Sequence, residues 1–171
     1  MDIVAIMGSP RKHANTNMLL DEMIRGAEEN GHNVVKHYIG DLDVHACRAC
    51  GVCMSGKDCV FKDDGFTVTH QIAEAEGLIV STPIYFGQMT GDLKVLLDRM
   101  YGITHNPLIP LSGKVALIFT HLGPEGYYDS YIELMKKACR IIHMDNIFRN
   151  VFSFEEVLDE IKNILNLYNN L

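Results

Sequence analysis

The chain has 171 residues, 47% of them hydrophobic and 22% charged. That is enough for one domain with a substantial core, and it excludes a disordered chain, a collagen-like repeat and a coiled coil. Fifteen Lys and Arg against twenty-two Asp and Glu leave a formal net charge of −7. With no run of basic residues, a nucleic-acid partner is not expected. No apolar run approaches the roughly eighteen residues of a membrane span. The opening MDIVAIMGSP, with its acidic second residue, lacks the form of a signal peptide. A cytoplasmic domain with no membrane contact is the expectation.

In chain order, short β-branched runs alternate with helical stripes. Ile3–Met7 has the pattern of a fully buried strand. A polar loop follows, then Leu19, Leu20, Met23, Ile24 and Ala27 recur at helical spacing until Gly31 supplies a stop. Val34–Ile39 is the second buried run. The connection after it, residues 40–63, is long for a compact domain, which normally marks a functional segment. Asp63 and Asp64 then cap a short helix marked by Ile72, Ala73 and Ala75, which ends before Gly77.

Leu78–Ser81 is the third strand. Leu93, Leu96, Leu97 and Met100 form the next stripe, stopped at Gly102, and Asp98 and Arg99 are expected to pair on its surface or at a subunit contact. Val115–Thr120 is the fourth strand and Tyr128 to Ile142 the fourth helix, with Cys139 read as a small core residue. A weaker strand spans Asn146–Phe152. Ser153 and Glu156 make a capping box for a last helix through Val157, Leu158, Ile161, Leu165 and Tyr168.

Five βα units in series predict an α/β, doubly wound parallel sheet with helices on both faces and strand order 2-1-3-4-5. The whole chain, residues 1–171, reads as a single domain with a cysteine-rich loop insertion at about residues 40–63. In such sheets ligands bind beyond the carboxyl ends of the strands, at the switch point.

After strand one, GSPRKHANTN leads into a helix whose N-terminal amides and dipole favour an anion. Ser9, Asn15, Thr16 and Asn17 add short polar side chains and Arg11 a charge, so the loop predicts a phosphate cradle. It matches neither G-x-x-x-x-G-K-[ST] nor G-x-G-x-x-G, which disfavours a nucleoside triphosphate or a Rossmann-bound dinucleotide. After strand three, Pro83-Ile84-Tyr85-Phe86-Gly87-Gln88 offers adjacent aromatics and a glycine as a wall for a flat ring. The turn after Thr120, containing Gly123, stands where backbone groups can meet the same ligand. The three loops together predict one phosphorylated, planar ligand.

Four of the five cysteines, Cys47, Cys50, Cys53 and Cys59, fall in the long connection with the spacing C-x2-C-x2-C-x5-C. This is not the spread pattern of a disulfide-stapled domain. Three thiols at consecutive x2 spacing suit a cubane held by one loop, whereas zinc sites usually use two separated C-x2-C pairs. Structural zinc and free or oxidised thiols stay open as alternatives, and His45 is read as an exposed loop residue. No H-E-x-x-H or G-x-S-x-G occurs, so hydrolase readings have no foothold.

GSPRKHANTN and TPIYFGQMTGDLKVLLDR, in this order within a short five-unit chain, resemble the flavodoxin-like, FMN-binding reductases. CRACGVCMSGKDCVFKDD after strand two makes the chain similar to their iron–sulfur flavoprotein subgroup. The resemblance runs from Ile3 to about Gly126; beyond it only the pattern of elements matches. The loop His121–Gly126 is less glycine-rich than in many relatives.

The resemblance implies a flavodoxin-like three-layer sandwich. It also implies FMN, with its phosphate at Ser9, Arg11, Asn15, Thr16 and Asn17 and its isoalloxazine against Pro83, Ile84, Tyr85, Phe86, Gly87, Gln88, Thr120 and Gly123. It implies a [4Fe–4S] cluster on Cys47, Cys50, Cys53 and Cys59, and a homodimer or homotetramer. The implied activity is redox: electrons from ferredoxin or NAD(P)H reach a small-molecule acceptor through the two cofactors, and no acid–base residue is assigned. The alternatives are an electron carrier without a substrate, or a plain NAD(P)H-dependent FMN reductase with structural zinc in the cysteine loop.

Overall fold

The structure, a computed structural model, describes residues 1–109, 113–124, 126–141 and 144–146. Its centre is a parallel sheet. β1 (Asp2–Met7) lies between β2 (Asn33–Tyr38) and β3 (Gly77–Pro83), and β4 (Gly113–Thr120) follows β3. A three-residue β5 (Met144–Asn146) pairs with the first residues of β4, giving the order β2-β1-β3-β4-β5 among the described residues. The expected strand at 146–152 touches this element only at Asn146. Its remainder and the helix expected from Ser153 lie outside the described residues, as does the side chain of Cys139.

Alternation along the strands divides the core in two, because successive side chains leave opposite faces of a sheet. Ile3, Ala5 and Met7 of β1 pack with Ile79 and Ala116 against Leu20 of α1 (Asn15–Glu29). Val4 and Ile6 face the other way with Val80 and Val115. They meet Ile72 of α2 (Asp64–Glu74), Leu93 and Leu96 of α3 (Gly91–Arg99), and Ile103 of the short α4 (Tyr101–Thr104). α5 (Asp129–Ile141) follows β4 and brings Tyr131 and Met135 to this second cluster.

β2 departs from the buried pattern expected of it. It is an edge strand, with Val35 exposed and Lys36, His37 and Tyr38 only partly covered. α1 ends as expected, with Gly31 at φ +79° just past the helix.

Register brings the working loops to one edge. Met7 stands beside Ser81, Ser81 beside Ile118, and Pro83 beside Thr120, so the loops after β1, β3 and β4 emerge together. Gly8 allows the closest approach: a Cβ there would lie 2.6 Å from the Ser81 carbonyl oxygen and 2.8 Å from Leu93 Cδ2. The Gly8 N–H donates to that carbonyl at 2.7 Å, and the Thr90 hydroxyl donates to the Gly8 carbonyl at 2.5 Å. No described helix is long and apolar enough to cross a membrane.

Candidate functional site

A cleft of about 560 Å³ opens where these loops meet, a volume within the range of small-molecule and cofactor sites. From the β1 side it is lined by Ser9, Arg11, Ala14, Asn15 and Thr16, from the β3 side by Pro83, Ile84 and Tyr85. The β4 side adds Thr120 to Gly123, and Tyr128 closes the end. The N-terminus of α1 faces into it. That helix has Ala14 at its N-cap, with no side-chain cap bond and no acidic residue in its first turn. Alanine is a poor cap, so the first amides keep their hydrogen-bonding capacity for a ligand.

The hydroxyls of Thr16 and Thr120 lie 2.6 Å apart and tie the first and third loops together. One of them donates to the other, which leaves a proton on the acceptor hydroxyl free to donate in turn. Ser9, 3% exposed, accepts from the Arg11 N–H at 3.1 Å and likewise keeps its own proton. The described lining carries no carboxylate. An anion therefore meets a helix N-terminus, hydroxyl donors and a guanidinium, and no like charge. Such a lining has the chemistry to hold an anion.

The apolar wall is narrower than the loop sequence suggests. Tyr85 and Gln88 exchange backbone bonds at 2.7 and 3.1 Å around a two-residue turn whose central residues, Phe86 at φ +48° and Gly87 at φ +82°, are both left-handed. Such turns match the twist of a hairpin but are costly for a residue with a Cβ. Phe86 is fully exposed at the tip, and Phe86, Gly87 and Gln88 do not line the cleft. The Tyr131 hydroxyl accepts from the Met89 N–H at 2.9 Å and anchors this hairpin to α5.

On the opposite rim, His121 Nδ1 is buried and has no hydrogen-bond partner among the described residues. Its ring stands edge-on to Tyr128, centroids 5.0 Å apart. A Cβ on Gly123 would come within 2.9 Å of the same tyrosine. An orphaned ring nitrogen at a cleft wall is a polar contact that a ligand can complete.

The cysteine loop forms a second site. All four clustered cysteines line one small pocket of about 30 Å³ together with Phe61, Arg99, Tyr101 and Gly102. Cys47 and Cys50 are exposed, Cys59 is half-buried and Cys53 is buried. The loop bends through left-handed residues at Ala49, Gly51 and Gly56, and residues 52–55 make one 3₁₀ turn. Gly102, expected to stop a helix, lies inside α4 under the loop, where a Cβ would sit 3.9 Å from the Cβ atoms of both Cys53 and Cys59. Among the described residues, no three His, Cys, Asp or Glu side chains converge tightly enough to hold a single metal ion.

Arg99 reverses its expectation. Its side chain is 2% exposed and pairs with Asp63 at 2.7 Å, whereas Asp98 pairs with Lys94 on the helix surface. Adjacent helical residues point about 100° apart, so Asp98 and Arg99 do not share a face. Asp63 does cap α2, accepting from the Phe66 N–H at 3.1 Å, and it also accepts from the His45 N–H at 2.9 Å. Burial opposes its ionisation, but the bonds from Arg99, His45 and Phe66 outweigh burial and hold its carboxyl well below the usual carboxylate range. His45 is exposed as expected.

The family model for NADPH-dependent FMN reductases matches residues 1–159. The chain belongs to that family. It is 30% identical over 145 residues to an iron–sulfur flavoprotein of Archaeoglobus fulgidus, covering 83% of this chain and 65% of the relative. It is also 35% identical over 99 residues to an iron–sulfur flavoprotein of Methanosarcina thermophila, covering 58% of this chain and 52% of that protein. The matches thus span between half and two thirds of these relatives' length. Among solved structures, NAD(P)H:quinone oxidoreductase from Methanothermobacter marburgensis superposes with a TM-score of 0.72 at 13% identity, covering 90% of this chain and 86% of that one. That likeness shows the flavodoxin-like fold of the family.

Of the residues expected at the FMN site, the cleft gathers Ser9, Arg11, Asn15, Thr16, Pro83, Ile84, Tyr85, Thr120 and Gly123. Asn17 lies apart. Its amide donates to Asp21 at 2.7 Å and accepts from Lys36 at 2.6 Å and Tyr38 at 3.1 Å, which joins α1 to β2. Ala14, Leu122, His121 and Tyr128 line the cleft without having been singled out as ligand residues. The glycine-bearing turn marked the neighbourhood of His121, but nothing in the sequence pointed to Tyr128.

Proposed function

We propose that this chain is a flavin-dependent oxidoreductase that binds FMN in the cleft beyond β1, β3 and β4 and carries a [4Fe–4S] cluster on Cys47, Cys50, Cys53 and Cys59. The observation that carries the reading is the uncapped α1 N-terminus, which opens with Ser9, Thr16 and Arg11 into a cleft with no described carboxylate. Family membership supports the same cofactor. The first amides of α1 and the hydroxyls of Ser9 and Thr16 bind the phosphate, with Asn15 and Arg11 beside them. Pro83, Ile84 and Tyr85 supply an apolar wall for the ring, and His121 offers its Nδ1 to a polar edge. When bound, the flavin supplies one- and two-electron chemistry; the chain contributes binding, orientation and electrostatics.

The cysteine pocket suits a cubane in donor chemistry. Zinc draws four thiolates to about 2.3 Å from one ion, whereas a [4Fe–4S] centre takes one thiolate on each of four irons, so its ligands surround a body and do not meet at a point. The four thiols that line one pocket supply the donor set of the second arrangement. A reducing cytoplasm would keep these thiols available for iron.

The chain acts as one domain with the cysteine loop as an insertion. Electrons enter from ferredoxin or NAD(P)H and leave to a small-molecule acceptor. The working unit is a homodimer or homotetramer, a reading in keeping with exposed Phe86, Leu122 and Tyr127 around the cleft mouth. Stopped-flow mixing of the reconstituted protein with NADH, NADPH and reduced ferredoxin, each with and without a quinone, tests the activity. Multiple turnovers with the quinone are expected. Fast reduction with no turnover for any acceptor would leave a carrier, and no reduction by any donor would overturn the assignment.

A further inference from the structure

We propose that Arg99 is the positioning residue of the cysteine site: it clamps the Cys59 limb of the loop onto α3 and fixes a buried positive charge against the cluster, which makes that cluster easier to reduce. The inference rests on the reading of the four cysteines as cluster ligands, and its geometry is independent of that reading.

One guanidinium makes every contact. Nη1 donates to the His45 carbonyl at 3.0 Å and to Asp63 at 2.7 Å, and Nη2 donates to the Phe61 carbonyl at 3.2 Å and to Cys59 Sγ at 3.4 Å. Residues on both sides of the cysteine run are thereby drawn to one point at the end of α3. The ring of Phe61 lies 5.1 Å from that of His45 in a stacked arrangement and within 5.2 Å of the Arg99 guanidinium carbon, so it packs over the clamp. The planar fork of arginine meets four acceptors at fixed angles, which an ammonium cannot do.

The charge arrangement has a direction. Arg99 stands between Asp63 and Cys59, with its Nη2 side toward the sulfur and its Nη1 side toward the carboxylate. Neither side chain of the pair is more than 8% exposed, so solvent screens the field weakly. A fixed cation beside a centre that gains negative charge on reduction favours the reduced form. A fixed anion behind it subtracts from that effect. Removal of either charge must therefore shift the reduction equilibrium in opposite senses, which mere loosening of the loop cannot do.

The test uses the full chain, anaerobically reconstituted with iron, sulfide and FMN, and compares wild type, Arg99→Gln and Asp63→Asn in a redox titration followed by electron paramagnetic resonance. Asn keeps an acceptor for Arg99 and remains a good helix cap. At fixed poise, Arg99→Gln is expected to lower the ratio of reduced to oxidised cluster about tenfold, which for a one-electron centre is about 59 mV; Asp63→Asn should raise it. Shifts of the same sign, or none, would overturn the electrostatic role. Should Arg99→Gln not fold, the upward shift in Asp63→Asn decides alone, and its absence overturns the role.

The clamp itself is read in the cluster-free chain by amide hydrogen exchange. Residues 45–63 should exchange at least tenfold faster in Arg99→Gln, while β1 and β3 stay unchanged. Unaltered exchange there would overturn the clamp. Failure of the wild type to take up any cluster would instead overturn the ligand reading, and the exchange result would still stand or fall on its own.

Discussion

Thr16→Val separates the phosphate assignment from general damage to the cleft. Valine keeps the shape of threonine and removes one hydroxyl from a position that is 3% exposed and 2.6 Å from the Thr120 hydroxyl. The apo protein should lose one hydrogen bond, worth about 0.5–1.5 kcal/mol, which lowers Tm by roughly 1–6 °C in a chain of this size. The ligand should lose more. A hydrogen bond to a charged group is worth about 1.5–3 kcal/mol, so FMN affinity should fall about tenfold to about a hundredfold. Fluorescence titration with FMN and, separately, with riboflavin is the assay, because riboflavin lacks the phosphate. The expected result is a weakened FMN complex with riboflavin binding essentially unchanged. Equal weakening of both, or of neither, would refute the placement of phosphate at the α1 N-terminus.

Other perturbations test neighbouring parts of the account. Gly8→Ala puts a methyl group 2.6 Å from a backbone oxygen, and overpacking of that kind costs about 1–3 kcal/mol; denaturant unfolding with wild-type stability would contradict the strand register at the cleft. Phe86→Asn replaces a fully exposed residue at φ +48° with one that accepts this conformation and completes an Asn-Gly turn, so stability should rise by about 1 kcal/mol; a fall in Tm would mean that the ring packs against something in the free chain. Asp63 ionises more readily in the folded protein than in the unfolded chain. Its contribution is therefore full above about pH 5 and is lost as pH falls below about 4 toward its depressed folded value. The stability gap between wild type and Asp63→Asn, read by urea unfolding from pH 7 to pH 3, should narrow on acidification; a constant gap would contradict the ionised pair.

Much of this was legible in the sequence, for identifiable reasons. Runs such as Ile3–Met7 and Leu78–Ser81 carry two-faced burial in their composition, and the polar run from Ser9 to Thr16 announces a helix start by its chemistry. The cysteine spacing is a local signal and needs no fold to be seen. What stayed hidden depends on contacts between distant positions. Asp63 and Arg99 are thirty-six residues apart, and only the packing of the loop on α3 reveals the pair. Asn17 has the composition of a phosphate ligand, but Lys36 and Tyr38 on the edge strand take its side chain. Phe86 has the composition of a wall, yet the Tyr85–Gln88 hairpin turns it outward. In both cases residue type pointed to the neighbourhood and backbone geometry chose which side chain faces the cleft.

The central claim is a two-cofactor redox protein, and one analysis tests it most directly: flavin, iron, sulfide and zinc determined on the same anaerobically reconstituted sample, with its absorption spectrum. One FMN with about four irons and four sulfides per chain, the content of a [4Fe–4S] centre, and no stoichiometric zinc are expected. No flavin after reconstitution, or stoichiometric zinc in place of iron, would contradict the claim.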